Sequence, residues 1–388
     1  MTKREFLEML NNQTSLLPEA ERNRLLEYYG EIIDDRMEEG LSEAEAVAAL
    51  GDPAALICDY AAPVAEGIAP EERPSDESVA ALNGLRVRVD SADVTVERGA
   101  LDGGVAAQLR FSDPTRFEWR MDGDVMEIVE KAPEGPRFSL QRVLHMLSSP
   151  AQSVKIILAT PLDGAFSYTA GGGDLVFEGA AFGGGADINT ASGDVTLRTF
   201  DCGGNLKLAT RSGDVRLEGV RVAGALQVHL ASGDLASTHL AVAGDTRIEA
   251  ASGDIQLRKP DLEALSIATA SGDVELFQGT TAATGINTAS GDVDMDAVEC
   301  NPELAIDTAN GDVSLRRCIA LETRIKTASG DVELRLSRLE CGYNIAASTA
   351  SGEVHLPDNN PPAQEGLRQP RLAIRTASGD IDVKISRT

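Results

Sequence analysis

Thr288-Ala289-Ser290-Gly291-Asp292-Val293 is one copy of a short sequence that recurs through the second half of this 388-residue chain. Successive glycines of the copies are 19 to 22 residues apart, except the last, which follows after 27. A constant period of this length, built from strands, predicts a solenoid in which each coil packs on its neighbours. The glycines are Gly173, Gly193, Gly213, Gly233, Gly253, Gly272, Gly291, Gly311, Gly330, Gly352 and Gly379.

Apolar residues recur at fixed positions around each of these glycines. The residue two positions after the glycine is aliphatic in every copy, as in Val274 and Val293, and a further apolar position lies five before it, as in Ile286. Side chains of a strand alternate between its two faces, so these positions share an interior face. The sequence predicts a mainly β protein, a parallel β-helix or β-solenoid of about 20-residue coils.

The N-terminal segment has a helical pattern instead. Thr2 and Glu5 match a capping box, as do Ser42 and Glu45, and apolar residues follow at helical spacing. We expect a small α-helical bundle over residues 1–62, a linker over 63–80 with three prolines, irregular first β coils with a helical insertion over 81–160, and regular coils over 161–388.

Composition limits the function classes. The formal net charge of −27 argues against nucleic acid and against an anionic membrane surface as partners. The five cysteines show no metal-ligand spacing, and we expect no cofactor. No apolar run is long enough to span a membrane, and the charged start predicts no secretory signal, so the expected location is the cytoplasm.

The repeated aspartates allow two interpretations. Neighbouring carboxylates about 4.8 Å apart repel by roughly 0.9 kcal/mol in water, which a backbone hydrogen bond of about 1 kcal/mol offsets. We favour such a structural corner and keep a weak cation site as the alternative, because calcium prefers six to eight oxygen ligands. The candidate residues for the cation site are Asp194, Asp214, Asp234, Asp254, Asp273, Asp292, Asp312 and Asp331. The glycines predicted to form the structural corner are Gly193, Gly213, Gly233, Gly253, Gly272, Gly291, Gly311, Gly330 and Gly379.

Other repeated or reactive side chains give weaker signals. A threonine three residues before most of the glycines predicts an inward side chain whose hydroxyl bonds along the stack. The four histidines share no spacing, and no nucleotide-binding or metalloprotease motif occurs. We therefore expect no catalytic residues and no enzyme activity.

The two segments resemble two bacterial families. Residues 82–388, with their repeated Thr-Ala-Ser-Gly-Asp-Val, resemble the "putative adhesin" family of β-strand repeat proteins, a group of unknown biochemical function. Residues 1–60, with Lys3-Arg4-Glu5-Phe6-Leu7 and Leu50-Gly51-Asp52-Pro53, resemble the HAAS-type signalling domain. The resemblance implies a β-repeat fold behind a helical signalling module and brings no catalytic residues.

The sequence thus predicts a non-enzymatic interaction or scaffold protein. Residues 1–62 would recruit a protein partner, in a signalling role, and the acidic solenoid would be the rigid scaffold. The alternatives are an adhesin-like rod that binds a surface or glycan, and a polysaccharide-active β-helix enzyme. Because the strand Ile381–Ile385 comes last in the sequence, we also expect weak end-to-end self-association at the C-terminal coil.

Overall fold

The structure, a computed structural model, divides the chain into two units. It describes residues 2–13, 76–131, 152–364 and 366–386, together with the single positions 26, 30, 33, 37, 42, 43 and 47. Unit 1 comprises residues 1–73 and 131–152, and unit 2 comprises residues 74–130 and 153–388. The segment predicted as a helical insertion is thus grouped with the N-terminal segment.

Unit 1 begins with helix α1, Lys3–Gln13. The predicted capping box is present at its start, because the Thr2 amide donates to Glu5 at 2.9 Å and the Glu5 amide donates to the Thr2 hydroxyl at 3.2 Å. Phe6 is fully buried. The remaining helices predicted within residues 1–62, and residues 132–151 within the segment predicted to carry a helical insertion, fall almost entirely outside the described residues.

Unit 2 is a β-solenoid, which confirms the predicted fold class. Its strands are short in the first coils and become continuous around the corners in the middle ones. The strands are β1 (Asp76–Val79), β2 (Gly84–Val89), β3 (Asp93–Arg98), β4 (Ala107–Phe111), β5 (Phe117–Asp122), β6 (Val125–Glu130), β7 (Ser153–Leu158), β8 (Phe166–Ala170), β9 (Leu175–Glu178), β10 (Ala181–Phe182), β11 (Ala186–Ser192), β12 (Val195–Arg198), β13 (Asp201–Cys202), β14 (Leu206–Ser212), β15 (Val215–Glu218), β16 (Arg221–Val222), β17 (Leu226–Ser232), β18 (Leu235–Thr238), β19 (Ala241–Ser252), β20 (Ile255–Arg258), β21 (Asp261–Ser271), β22 (Val274–Ser290), β23 (Val293–Asn310), β24 (Val313–Arg316), β25 (Glu322–Ser329), β26 (Val332–Leu336), β27 (Asn344–Ser351), β28 (Val354–His355), β29 (Arg371–Ser378) and β30 (Ile381–Ile385), with one 3₁₀ turn at Pro114–Arg116.

Each regular coil has three sides. In one coil, β11 forms the first side, the Gly193-Asp194 corner follows, β12 forms the second side and β13 the short third side. The second corner contains a residue with φ of +50° to +70°, and this residue is a non-glycine such as Thr199 in most coils. Strands of successive coils pair in parallel and in register, so Ile188 lies beside Leu208 and Val195 beside Val215. The repeat therefore places equivalent residues in columns.

The interior consists of these columns. The position two after the corner glycine is at most 2 % exposed from Leu175 through Val332 and Ile381, and only Val354 departs, at 37 %. Thr190 and its equivalents point inward, as predicted, beside the column that contains Ile188. The hydroxyls of Thr190, Thr269 and Thr327 donate to a carbonyl of their own coil, that of Ser192 in the first case, and not along the stack as predicted. The hydroxyl of Thr349 does bond along the stack, because it donates to the Gly379 carbonyl of the neighbouring coil at 3.1 Å. The hydroxyl of Thr288 has no partner within the described part of the chain.

Antiparallel strands close the N-terminal end of the solenoid. On the first side, β5 pairs antiparallel with β6, which is followed by β2 and β8. On the second side, β1 and β4 pair antiparallel outside β7, which is followed by β3 and β9. The coil of β2 and β3 therefore lies between the coil of β6 and β7, which comes later in the sequence, and the first regular coil.

The last two coils at the other end lie in the reverse of their sequence order. The chain forms the coil of β27 and β28, which we call the terminal coil, and returns through residues 356–370 to form β29 and β30. Strand β29 pairs with β25 on one side and β27 on the other, and β30 lies likewise between β26 and β28. The prediction that Ile381–Ile385 forms the open end is therefore wrong. Both motifs end in Ser-Gly-acid, so the repeated motif alone does not show which coil stacks first.

No helix in the described residues is long and apolar enough to cross a membrane.

Candidate interaction surfaces

The corner glycines allow the coils to stack closely. All eleven have a φ between +87° and +158°, a backbone conformation that favours glycine. A Cβ on Gly272 would lie 2.1 Å from the carbonyl oxygen of Gly253 in the preceding coil, and at the other corner glycines the corresponding distance is between 2.1 and 2.4 Å. The corner therefore needs glycine for its φ and for the close approach of the next coil.

The aspartate after each corner glycine bonds to the following coil. The Asp194 amide donates to Oδ1 of Asp174 at 2.8 Å, and the Asp214 amide donates to Oδ1 of Asp194 at 2.9 Å. The same bond, 2.7 to 3.0 Å long, joins every successive pair of corners, and we call this series the aspartate ladder. Each carboxylate thus accepts a hydrogen bond from a corner amide that the parallel strand pairing does not supply with a main-chain acceptor.

The two ends of the ladder differ from its middle. Its last acceptor is Asp380, which binds the amide of Glu353 at 2.7 Å. Because Glu353 belongs to the terminal coil, no further described coil needs its carboxylate, and glutamate replaces aspartate at this one corner. At the other end, Glu130 accepts from the amides of Asp90, Ser91 and Ala92.

The candidate cation-binding aspartates lie in one column, one per coil. In each of them Oδ1 accepts a backbone amide. At two of them Arg216 also contacts Oδ2, at 3.4 Å for Asp194 and 3.1 Å for Asp214. Within the described ranges, no group of three or more His, Cys, Asp or Glu side chains is arranged to hold a metal ion. A weak cation site on the ladder stays a prediction.

A shallow groove of about 870 Å³ follows the third side from Asp201 to Asn301. Its lining contains small residues and acidic side chains, including Asp261 and Glu299. Arg221 also lines the groove and binds Asp201 at 2.7 Å. The groove is therefore acidic, and it is long enough to accept an extended chain. No sequence motif signals this groove, because the third-side strands β10, β13 and β16 have only two residues each and too few positions for a periodic pattern.

A cluster of arginines surrounds Glu127 near the N-terminal end of the solenoid. Nε of Arg120 donates to Glu127 at 2.8 Å, and Arg88 and Arg86 lie 3.2 and 3.6 Å from the same carboxylate, which is buried although it points outward. The hydrogen bond from Arg120 is the largest cause that lowers the pKa of Glu127, and the charges of Arg88 and Arg86 act in the same direction. This cluster anchors β2, β5 and β6 to one another. It lies outside the repeat and no motif signals it.

The reactive side chains are dispersed. Nδ1 of His229 lies 2.9 Å from Glu249, and Nε2 of His355 lies 3.4 Å from Glu353. These two pairs lie in different parts of the solenoid, the second of them on the terminal coil. Burial raises the pKa of the Cys300 thiol to about 12, which keeps it protonated and a weak nucleophile. In the described part of the chain these groups do not form a nucleophile and base pair.

Two family models match the chain. The Toastrack DUF4097 model matches residues 82–244 and 223–386, and the HAAS model matches residues 5–57. The matches to the Toastrack model cover most of the sequence, so the chain belongs to the Toastrack DUF4097 family, and both family resemblances drawn from its motifs are confirmed.

Three solved structures are similar over most of the chain. A "putative cell adhesion protein" from Clostridium sporogenes is 10% identical, covering 81% of this chain and 100% of its own, with a TM-score of 0.16. A "putative adhesin" from Bacteroides fragilis is 13% identical over 82% and 100%, with a TM-score of 0.27. A "putative lipid binding protein" from Parabacteroides distasonis is 11% identical over 81% and 97%, with a TM-score of 0.28. These scores support no functional inference, and no protein of curated function matches the sequence.

Proposed function

We propose that this protein is a non-enzymatic, cytoplasmic interaction protein in which unit 1 recruits a protein partner and unit 2 is a rigid acidic scaffold. The observation that carries the proposal is the division of the chain: unit 1 takes residues 1–73 and also 131–152, an insertion between two strands of the solenoid. Because the repeat unit carries a separate unit built from two chain segments, we infer that unit 2 serves to present unit 1 to a partner. The aspartate ladder supports it, because the repeated acids hold the coils together.

The test is capture of interactors from the native host by full-length protein and by a variant without unit 1. That variant lacks residues 1–73 and carries three residues in place of 131–152, since deletion of the N-terminal segment alone would leave part of unit 1. Loss of a specific protein partner is the expected result. If the variant keeps every partner, the recruiting role of unit 1 is wrong.

Point variants sharpen this test without removing a unit. Met9 and Met37 are 40 % and 41 % exposed in unit 1, while Phe277 and Ile319 are 39 % and 49 % exposed in unit 2. We expect Met9→Lys with Met37→Lys to weaken capture, and Phe277→Lys with Ile319→Lys to leave it unchanged. The reverse result would move the partner site to the solenoid.

A second candidate function is binding of an extended glycan by the solenoid, as in an adhesin-like rod. The acidic third-side groove favours it, since it continues across several coils and its acids can accept hydrogen bonds from sugar hydroxyls. A glycan array would show binding that Ala243→Trp, within the groove, abolishes.

Surface proteolysis of intact cells distinguishes the two candidate functions further, because a cytoplasmic protein stays uncut. Incubation with acidic and neutral polysaccharides is expected to give no cleavage, and release of oligosaccharides would instead support the enzyme alternative.

A further inference from the structure

The terminal coil presents an open strand edge. Among the described strands, β27 pairs only with β29, and β28 pairs only with β30. Residues of β27 are exposed or half-buried throughout, whereas the inward residues of β29 are buried. Val354 and Leu356 are 37 % and 48 % exposed. Among the described residues, the terminal coil thus has a stacked coil on one side only.

The backbone groups at this edge can be assigned from the pairing. The Asn344 amide donates to the Pro370 carbonyl at 2.9 Å, so Asn344 directs its main-chain groups toward β29. Successive residues of a strand direct these groups to alternate sides. The amides and carbonyls of Ile345, Ala347 and Thr349 therefore face away from the solenoid, ready to pair with another strand.

The edge also lacks the usual protection against strand pairing. Exposed edges are commonly protected by charged residues or proline, and residues 344–351 contain neither. At the opposite end, the outermost first-side strand β5 carries Glu118, Arg120 and Asp122. Only the terminal coil therefore offers an uncharged edge on the first side.

We infer that β27 pairs antiparallel with β27 of a second copy, joining two solenoids end to end in a symmetric dimer. In the symmetric register Ala347 lies opposite Ala347 of the other copy, and Ile345 lies opposite Thr349, so the outward-facing amides and carbonyls bond to one another. The neighbouring coils place Ile325 and Ile374 where the terminal coil has Ala347. The small side chain fits a position on the two-fold axis.

A second copy suits this edge better than continued head-to-tail stacking. A strand edge is complementary to itself in antiparallel pairing, which gives a closed two-fold interface. The charged antiparallel strand at the other end does not match it, so stacking stops at two copies. An uncharged contact also keeps the remaining negative charge of the two molecules apart. This inference is independent of the proposed function of unit 1.

Sedimentation equilibrium of the full chain over a wide concentration range tests the dimer. We expect a reversible monomer–dimer equilibrium in the wild type. The double variant Ala346→Lys with Ser348→Lys places lysines opposite each other across the interface, and should weaken dimerisation about tenfold or more. Both positions are exposed and point outward, so the coil itself stays intact.

The matched control carries the same two charges elsewhere. Ser266→Lys with Ala268→Lys occupies the equivalent exposed positions of a middle coil and should dimerise like the wild type.

As a test of register, Ala347→Cys should form a covalent dimer with diamide, while Ala268→Cys and the wild type do not. A wild type that stays monomeric, equal dimerisation of both double variants, equal loss in both, or growth beyond dimers would each overturn the inference.

Discussion

Gly272 and its equivalents bring consecutive corners into closer contact than any side chain permits. Gly272→Ala would force a Cβ to within 2.1 Å of a backbone oxygen at a φ of +129°. We expect it to lower the free energy of unfolding by roughly 2–4 kcal/mol, measured by denaturant titration. Gly285→Ala is the control, because a Cβ there meets nothing within 4 Å and its φ is not positive. Equal losses in the two variants would contradict the corner geometry.

Variants of the aspartate ladder can distinguish its structural role from cation binding. Asp273→Ala leaves the Asp292 amide without its acceptor and should cost about 1–2 kcal/mol in unfolding free energy. Asp273→Asn keeps the accepting oxygen and should cost less, although it removes the charge. Thermal unfolding with and without calcium completes the test. A large calcium-dependent stabilisation that Asp273→Asn reduces would support the cation site instead.

The arginine cluster gives the solenoid a pH-dependent contribution to stability. The lowered pKa of Glu127 means that its contribution is present above its ordinary value of 4.5 and is lost as pH falls through the lower folded value. Glu127→Gln should therefore destabilise the protein at neutral pH and lose less further stability on acidification. Chemical unfolding from neutral pH down to about pH 3 measures both effects. The control Glu178→Gln breaks an exposed pair with Arg198 and should change stability by less than about 1 kcal/mol.

The repeat residues were readable from sequence because each has one local role. Gly291 is needed for its backbone conformation, Asp292 for its amide bond and Val293 for the interior, and these requirements recur in every coil. Glu127 lacks such a signal, because neither Arg120, its partner across the β5–β6 hairpin, nor Arg86 on β2 lies at the repeat spacing. Pairs that fall outside the period cannot be inferred from a periodic pattern.

The stacking order of the last two coils, β27–β28 and β29–β30, is the reverse of their order in the sequence. The motifs at Gly352 and Gly379 are nearly identical, so either coil satisfies the interior columns, and the pattern alone cannot rank them. Glu353 was the local signal, since a ladder that ends no longer needs aspartate. The interval of 27 residues before Gly379 was the second signal, because returning over a completed coil requires the longer segment 356–370.

Hydrogen exchange measures this reversed order directly. Strands β29 and β30 have neighbours on both sides, so their amides should exchange more slowly than those of β27 and β28, although they lie nearer the C-terminus. Mass spectrometry of peptides covering 344–355 and 371–385 compares them in one experiment. Strands β24 and β26, in the coils before them, give the reference for protected coils. Faster exchange in 371–385 than in 344–355 would contradict the reversed order.

The whole molecule joins a repeat scaffold to a second unit through the corner between β6 and β7. Residues 131–152 connect β6 to β7 in the sequence, while the neighbouring coil connects β2 to β3 with only Asp90, Ser91 and Ala92. A Ser-Gly-Asp link in place of 131–152, in a chain that starts at residue 74, should preserve the solenoid. Circular dichroism should show the β spectrum, and its melting temperature should stay close to that of unit 2 in the full chain. Loss of the β spectrum would mean that the solenoid depends on unit 1.

The reversed coils also bear on how the protein is made. During translation residues 344–355 leave the ribosome before 371–385, yet their stacking partner is β29, which is synthesised only after residues 356–370. A nascent chain can complete all coils up to β26 as it emerges. The terminal coil can take its place in the stack only after β29 and β30 have been synthesised. A chain released before β29 and β30 are made would therefore present β27 and β28 without the strands they pair with in the complete fold.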